Sequence, residues 1–177
     1  TQGLDFIAMK SGDVNNEASP ENMDSVTFLL TSVGAPVVTQ DYSVAVRTAD
    51  FNAMIAAQYS IGWNANLLSF NNVSDFHPDL EMDNSNFSFI RVQEGKLPWV
   101  WFESDPLSLA DSTVLFRINF TVSGQVGNEI DLCFTEDPTT FYFEGNNQEL
   151  AGRFTKLQTE IMMTSEVAML VFWSSSW

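Results

Sequence analysis

Positive charge is scarce in this sequence. Among 177 residues, seven Lys and Arg stand against 23 Asp and Glu, so the formal net charge is −16 at pH 7. A surface of that sign repels polyanions before any specific contact can form. We therefore predict no nucleic-acid binding and no affinity for anionic lipid, whereas cations, sugars and other proteins remain open as ligands.

Histidine and cysteine are almost absent as well. With His77 alone, a zinc site of paired histidines cannot form, and with Cys133 alone, an internal disulfide is impossible. Cys133 lies in an alternating apolar stretch, where we expect the lone thiol to be buried like a small hydrophobic residue.

Motifs for catalysis are also missing. The sequence has no nucleophile elbow, phosphate-binding loop or dinucleotide fingerprint. The carboxylate pair Glu103 and Asp105, beside Trp101, could resemble a glycosidase cleft, but we interpret it as a solvated acidic loop. We predict that the protein is not an enzyme.

Long apolar runs and helical periodicity are scarce too. The longest apolar run covers residues 167–173, far short of the ~20 residues that span a bilayer, so we predict no membrane span. The one candidate helix, residues 49–57, runs straight into a strand pattern, and we interpret it as a loop followed by the start of a strand.

Period-two alternation is what the chain has in abundance. In residues 114–122 the even-numbered positions are apolar, whereas Arg117, Asn119 and Thr121 are polar, which predicts a half-buried strand. The same alternation occurs in Val44 with Val46, residues 59–63, Phe87 with Phe89, Trp99 with Trp101, Ile130 with Leu132 and Phe134, and Phe141 with Phe143. Many short strands separated by turn-rich pieces indicate an all-β sandwich.

The two ends of the chain do not follow this alternation of apolar and polar residues. The amino-terminal tail, residues 1–24, carries the apolar residues Leu4, Phe6, Ile7 and Met9. The carboxyl-terminal tail, residues 164–177, is apolar on both alternating faces, through Val167, Met169, Leu170, Val171, Phe172 and Trp173. Such a strand needs cover on both sides. It is either the last central strand of its own sandwich or a donor strand that pairs with the edge of a neighbouring copy.

A Gln-aromatic-Ser-aliphatic pattern, a Trp-Asn pair and a Leu-Leu-x-Phe run follow one another in residues 45–73, and residues 111–122 add a late strand. Together they resemble the cohesin-like modules of secreted proteins from Bacteroidetes-type bacteria. The resemblance covers roughly residues 26–163. It implies a jelly-roll β-sandwich of about nine strands in residues 25–163, placement outside or on the surface of a bacterial cell, and a role in protein assembly.

Residues 5–15 are similar to the end of a dockerin-like module, which would make Thr1 a cut inside a longer precursor. A calcium loop counted from Asp13 would end at Asp24, but Ala18 stands where the sharp turn favours Gly. The candidate calcium ligands are Asp13, Asn15, Glu17 and Asp24. A plain acidic linker is the alternative, and we predict no other cofactor.

Two further segments can each be interpreted either as a ligand site or as an ordinary structural element. Residues 75–83 alternate Asp75, His77, Asp79, Glu81 and Asp83, as a cation-binding loop does, but an exposed edge has the same pattern. Trp99 and Trp101 share one strand face, which is a stacking platform for carbohydrate if it points outward and core if it points inward. Core is the favoured interpretation, since large aromatic side chains are buried on average.

These observations leave three functions open. The main hypothesis is an extracellular structural subunit that joins copies of itself head to tail into a surface filament or sheath, by donation of a terminal strand. The alternative is a cohesin-like receptor module that binds a dockerin-like protein through a sheet face. Polysaccharide recognition through Trp99 and Trp101 is the third.

Overall fold

A computed structural model describes residues 24–146 and 148–163, which form strands and short turns without an α-helix. The strands are β1 (Ser25–Val33), β2 (Asp41–Ala49), β3 (Met54–Trp63), β4 (Leu68–Ser74), β5 (Lys96–Leu107), β6 (Thr113–Val122), β7 (Glu129–Thr135), β8 (Tyr142–Gly145), β9 (Gln148–Glu149), β10 (Ala151–Thr155) and β11 (Leu157–Glu160). Three single-turn 3₁₀ helices, Pro78–Leu80, Asn84–Asn86 and Val92–Glu94, lie between β4 and β5. Among the residues described, no helix has the length and hydropathy that crossing a bilayer requires.

The strands form two sheets. The first sheet has the order β10-β1-β2-β6-β4, in which only the β1–β10 pair is parallel. In the second sheet β3 is central: β5 pairs along one edge, while β7 and β8 share the other, and β11 and β9 extend the sheet beyond them. The all-β sandwich predicted from the alternation is therefore confirmed.

The core lies between the two sheets and is rich in aromatic rings. Phe28 of the first sheet packs edge-on against Tyr59 of the second, with ring centroids 4.9 Å apart, and Tyr59 contacts Trp99 at 4.6 Å. Tyr59 is fully buried, and burial raises the pKa of its hydroxyl well above its usual range. Within the part of the chain that the structure describes, its hydroxyl oxygen has no hydrogen-bond partner.

Several strand predictions agree with the structure. Residues 114–122 lie in β6, with Phe116, Ile118 and Phe120 buried. Residues 49–57 contain the end of β2, a loop and the start of β3, as we interpreted them. The described residues hold eleven strands instead of about nine, because the chain after β7 is divided into four short strands.

The strand predicted around Phe87 and Phe89 is wrong. Only Phe87 makes a bridge, to Trp99, and no strand extends from it. The Asn84–Asn86 turn precedes Phe87, and the backbone N–H of Val92 donates to the carbonyl of Phe89. The chain therefore turns on both sides of this segment, which is too short to form a ladder of hydrogen bonds with a neighbouring strand.

The predicted burial of Cys133 is also wrong, because the thiol is exposed. Ile130 and Leu132 on β7 point into the core, so the residue between Leu132 and Phe134 must point outward. The alternation that placed Ile130, Leu132 and Phe134 on one face therefore already required Cys133 on the other.

The two tails lie outside the described residues. This applies to Leu4, Phe6, Ile7 and Met9, to the donor-strand candidates Val167, Met169, Leu170, Val171, Phe172 and Trp173, and to the calcium candidates Asp13, Asn15 and Glu17. The boundaries at residues 24 and 164, and both interpretations of the carboxyl-terminal tail, stay predictions.

Candidate protein-docking face

The outward surface of the second sheet is built by the register of β3 against its neighbours. Because Tyr59 and Ile61 of β3 point into the core, the residues that alternate with them point outward. Ala56 pairs with Phe102 of β5, and Gln58 pairs with Val100. On the other edge of β3, Ala56 pairs with Glu144 of β8, and Gln58 pairs with Tyr142. We call these six residues, Ala56, Gln58, Val100, Phe102, Tyr142 and Glu144, the docking face.

The docking face is shaped like a trough, with one wall formed by β5 and the other by β8. Phe102 is 75% exposed and Val100 42% exposed on β5, and Tyr142 is 40% exposed on β8. Between these walls stand only the short Ala56 and the amide Gln58, whose Nε2 donates to the carbonyl of Thr140 at 3.0 Å. Exposed aromatic and aliphatic side chains grouped on a sheet mark an interaction surface.

A hollow of about 290 Å³ adjoins the Val100 side of this trough. It is lined in part by Gln58, Asn86, Pro98, Val100 and Thr139. Asn86 is held in place because its Nδ2 donates to the carbonyl of Val100 at 3.0 Å and its Oδ1 accepts the backbone N–H of Asp83 at 2.9 Å. The hollow is therefore a preformed pocket into which a partner side chain could insert.

Two cations on the β5 side of this sheet, Arg91 and Lys96, are paired with carboxylates of the chain. Asp137 accepts from Arg91 Nη1 at 2.9 Å and lies 3.4 Å from Lys96 Nζ, while Arg91 Nη2 lies 2.7 Å from Glu94 Oε2. The hydrogen bond from Arg91 is the main reason that the pKa of the Asp137 carboxyl is lowered. These four charged groups cancel one another.

Tyr142 is tied to Glu144 on the same wall of the trough. Its hydroxyl donates to Glu144 Oε2, and this hydrogen bond is the first cause of the raised pKa of Tyr142, followed by burial and by the negative charges of Glu144 and Glu149. The phenol therefore stays protonated and orients the carboxylate at neutral pH.

The carbohydrate platform proposed on Trp99 and Trp101 is wrong. Both indoles are 1% exposed and belong to the core. Trp101 Nε1 donates to the carbonyl of Leu80 at 3.0 Å, and Trp99 Nε1 contacts Met82 Sδ at 3.2 Å, so both polar edges are also occupied. Because Trp101 lies in the core, its indole cannot face a substrate beside Glu103, as the glycosidase alternative would require.

The cation-loop alternative for residues 75–83 is wrong too. The Pro78–Leu80 turn breaks the segment, so its acidic side chains do not alternate across a strand. Asp75 Oδ2 instead pairs with Arg117 Nε at 2.8 Å, and His77 Nδ1 accepts the backbone N–H two residues later. Within residues 24–146 and 148–163, no group of three or more His, Cys, Asp or Glu is placed to hold a metal ion.

Asp24 is the one calcium candidate that the structure describes. It is exposed beside a polar hollow of about 470 Å³ at one end of the sandwich. Its Oδ2 accepts from Gln148 Nε2 at 3.0 Å. The calcium hypothesis depends on the other three candidates as well, so it stays a prediction.

The sequence reasoning missed the residues of the docking face. The signal was present in the segment Pro-Trp-Val-Trp-Phe at residues 98–102. Once Trp99 and Trp101 are assigned to the core, strand alternation requires Val100 and Phe102 to point outward. Tyr142 follows in the same way from Phe143, which is buried.

Comparison with known proteins identifies the fold. No family model matches the sequence, and no curated protein matches it either. The seventh ScaB type I cohesin from Pseudobacteroides cellulosolvens is similar, with a TM-score of 0.62 and 18% identity over 79% of this chain and 94% of that chain.

Two cohesin–dockerin complexes from Clostridium thermocellum are similar as well. The Coh-OlpC–Doc435 structure gives a TM-score of 0.65 at 10% identity, over 82% of this chain and 99% of that chain. The Coh-OlpA–Doc918 structure gives 0.62 at 14% identity, over 78% and 99%. At such identities the likeness establishes the fold alone, and the fold of this chain is a cohesin-like β-sandwich.

Proposed function

We propose that this chain is a non-enzymatic protein-binding module that receives a dockerin-like partner on the docking face. The observation that carries the proposal is Phe102, an aromatic side chain three-quarters exposed (75%) on a sheet surface, beside Val100 and a preformed hollow. Large exposed aromatic residues next to pockets are the usual anchors of protein interfaces.

Two of the similar structures support the choice of partner. Each is described as a type I cohesin–dockerin complex, so this fold binds dockerins in those proteins. Placement outside or on the surface of a bacterial cell belongs to the same proposal. It is supported by the bacterial sources of the similar structures and by the composition, which is rich in acidic residues and poor in Lys and Arg.

The test is binding of calcium-loaded dockerin modules, taken from the secreted proteins of the source organism and titrated against this chain by calorimetry. We expect at least one module to bind, and Phe102→Glu to raise its Kd by at least about 30-fold, since loss of a central aromatic anchor costs about 2 kcal/mol or more.

Val126→Glu is the matched control, since Val126 is also an exposed apolar residue but lies in the loop between β6 and β7. It should leave the Kd unchanged. Absence of binding by every module, or equal binding by the Phe102→Glu variant, would overturn the proposal.

Self-assembly into a filament is a separate matter. The donor-strand residues from Val167 to Trp173 lie outside the described residues, and the similar structures are cohesins rather than filament subunits. The filament hypothesis therefore stays a prediction from the sequence, and the docking face gives the receptor function the stronger physical support.

A further inference from the structure

The connection between β7 and β8, residues 136–141, lies over the outward side of β3. Ser60 of β3 points outward, because it alternates with the buried Tyr59 and Ile61, yet Ser60 is 0% exposed. Its Oγ accepts the backbone N–H of Thr139 at 3.2 Å, so this connection is what covers it. We call residues 136–141 the strap.

Both ends of the strap are fixed to the sandwich. At one end, Thr135 of β7 pairs with Ser60 of β3. At the other end, Phe141 stacks on Phe154 with ring centroids 4.4 Å apart, and β8 begins at the next residue and pairs with β3. Because both ends are held, only the middle of the strap can lift from β3 without unfolding the sheet.

The middle of the strap is held by polar contacts near solvent. Asp137 Oδ1 accepts from Arg91 Nη1 at 2.9 Å, Asp137 Oδ2 lies 3.4 Å from Lys96 Nζ, and the Asp137 side chain is 57% exposed. We call these three residues the ionic latch. Gln58 Nε2 adds a hydrogen bond to the carbonyl of Thr140 at 3.0 Å. Exposed ion pairs contribute little to stability and are screened by salt, so the middle of the strap is weakly attached.

The latch reaches across β3 because Gly62 has no side chain. Gly62 pairs with Lys96 of β5 on one edge and with Cys133 of β7 on the other. A Cβ on Gly62 would stand 3.6 Å from Lys96 Nζ and 3.4 Å from Thr135 Cγ2. A longer side chain at this position would therefore occupy the path by which Lys96 reaches Asp137.

We infer that the strap opens and closes over β3, and that the ionic latch holds it closed. Thr139 lines the hollow of about 290 Å³ together with Gln58 and Val100, so opening the strap removes one wall of the hollow and uncovers Ser60. The closed strap excludes a ligand from this part of β3, and a rise in ionic strength favours the open form. The inference concerns the free chain and does not depend on the proposed dockerin-like partner.

Alkylation of a thiol beneath the strap tests this inference. With Cys133→Ser removing the native thiol, Ser60→Cys places the single thiol under the strap, and its reaction with uncharged iodoacetamide reports how often the strap opens. We expect Asp137→Asn to raise the alkylation rate at least about fivefold, and Arg91→Gln to act in the same direction. A change from about 0.05 M to about 0.5 M NaCl should raise the rate at least about threefold while the latch is intact, and should have no such effect in the Asp137→Asn variant.

Two controls separate opening of the strap from other effects. Asp131→Asn removes the same charge from the exposed surface of β7 and should change the rate less than about twofold. Ala57→Cys places a thiol on the fully buried inward side of β3, where it reports unfolding of the whole domain, and it should stay unreactive in every variant. An unchanged rate for the Ser60→Cys thiol after Asp137→Asn, or equal acceleration of the Ser60→Cys and Ala57→Cys thiols, would overturn the inference.

Discussion

At the residue scale, one polar atom stands out in an apolar interior. The Tyr59 ring lies among those of Phe28, Trp99 and Phe134, with Phe134 at 5.0 Å between ring centroids, and its hydroxyl has no hydrogen-bond partner among the described residues. A buried hydroxyl without a partner costs its full desolvation. The ring itself is a well-packed part of the core, so only the oxygen is unfavourable.

Replacing this oxygen should stabilise the protein. We expect Tyr59→Phe to raise the free energy of unfolding by about 1 kcal/mol, measured by urea denaturation with an unchanged m value. Tyr42→Phe is the control, because the buried Tyr42 hydroxyl donates to Ser32 Oγ at 3.0 Å. That variant should lose about 1 kcal/mol. A loss of stability in both variants would contradict the structure around Tyr59.

Residue-level predictions from the sequence succeeded where alternation was followed through and failed where it was not. The β6 residues were assigned to the correct faces from their period of two. Cys133 was misplaced because residue type was given more weight than its position between Leu132 and Phe134. Val100 and Phe102 were missed for the same reason, although the core assignment of their neighbours already determined their direction.

At the element scale, turns decide which apolar segments become strands. The Val92–Glu94 turn ends at Gly95, which has a φ of +73° and bonds back to the carbonyl of Val92. Its own carbonyl accepts the backbone N–H of Trp63 at 3.0 Å, which fixes the start of β5 against the end of β3. Residue type alone does not reveal such a contact, so neither the turn nor the loss of the strand at Phe87 and Phe89 could be predicted from the apolar pattern.

Gly95 should therefore resist substitution more than other glycines with positive φ. A Cβ at Gly95 would stand 2.0 Å from the Trp63 carbonyl oxygen, whereas one at Gly34, with a φ of +88°, would meet nothing within 4 Å. We expect Gly34→Ala to lose about 1–2 kcal/mol of unfolding free energy from the backbone alone, and Gly95→Ala at least about twice as much. Equal losses in chemical denaturation would show that Gly95 is not held against β3.

At the scale of the whole molecule, the arginines of the described strands all lie on the first sheet. The register places Arg47, Arg117 and Arg153 on the outward side of the first sheet, opposite Leu29, Ala45 and Thr27 respectively. The second sheet instead presents the docking face and the outward glutamates Glu129, Glu144, Glu149 and Glu160. The net charge of −16 predicted repulsion of polyanions, but it could not show this division, because the sheet and face of each strand depend on long-range pairing.

The central claim is that a protein partner covers the outward surface of the second sheet, and cysteine footprinting tests it most directly. Cys133→Ser removes the single native thiol, after which Val100→Cys places one on the docking face and Ser69→Cys places one on the exposed surface of β4 in the first sheet. Alkylation rates are then measured with and without a saturating dockerin module. The account predicts that the Val100→Cys thiol reacts at least about tenfold more slowly in the complex, while the Ser69→Cys thiol is unaffected. A complex that leaves the Val100→Cys rate unchanged would contradict it.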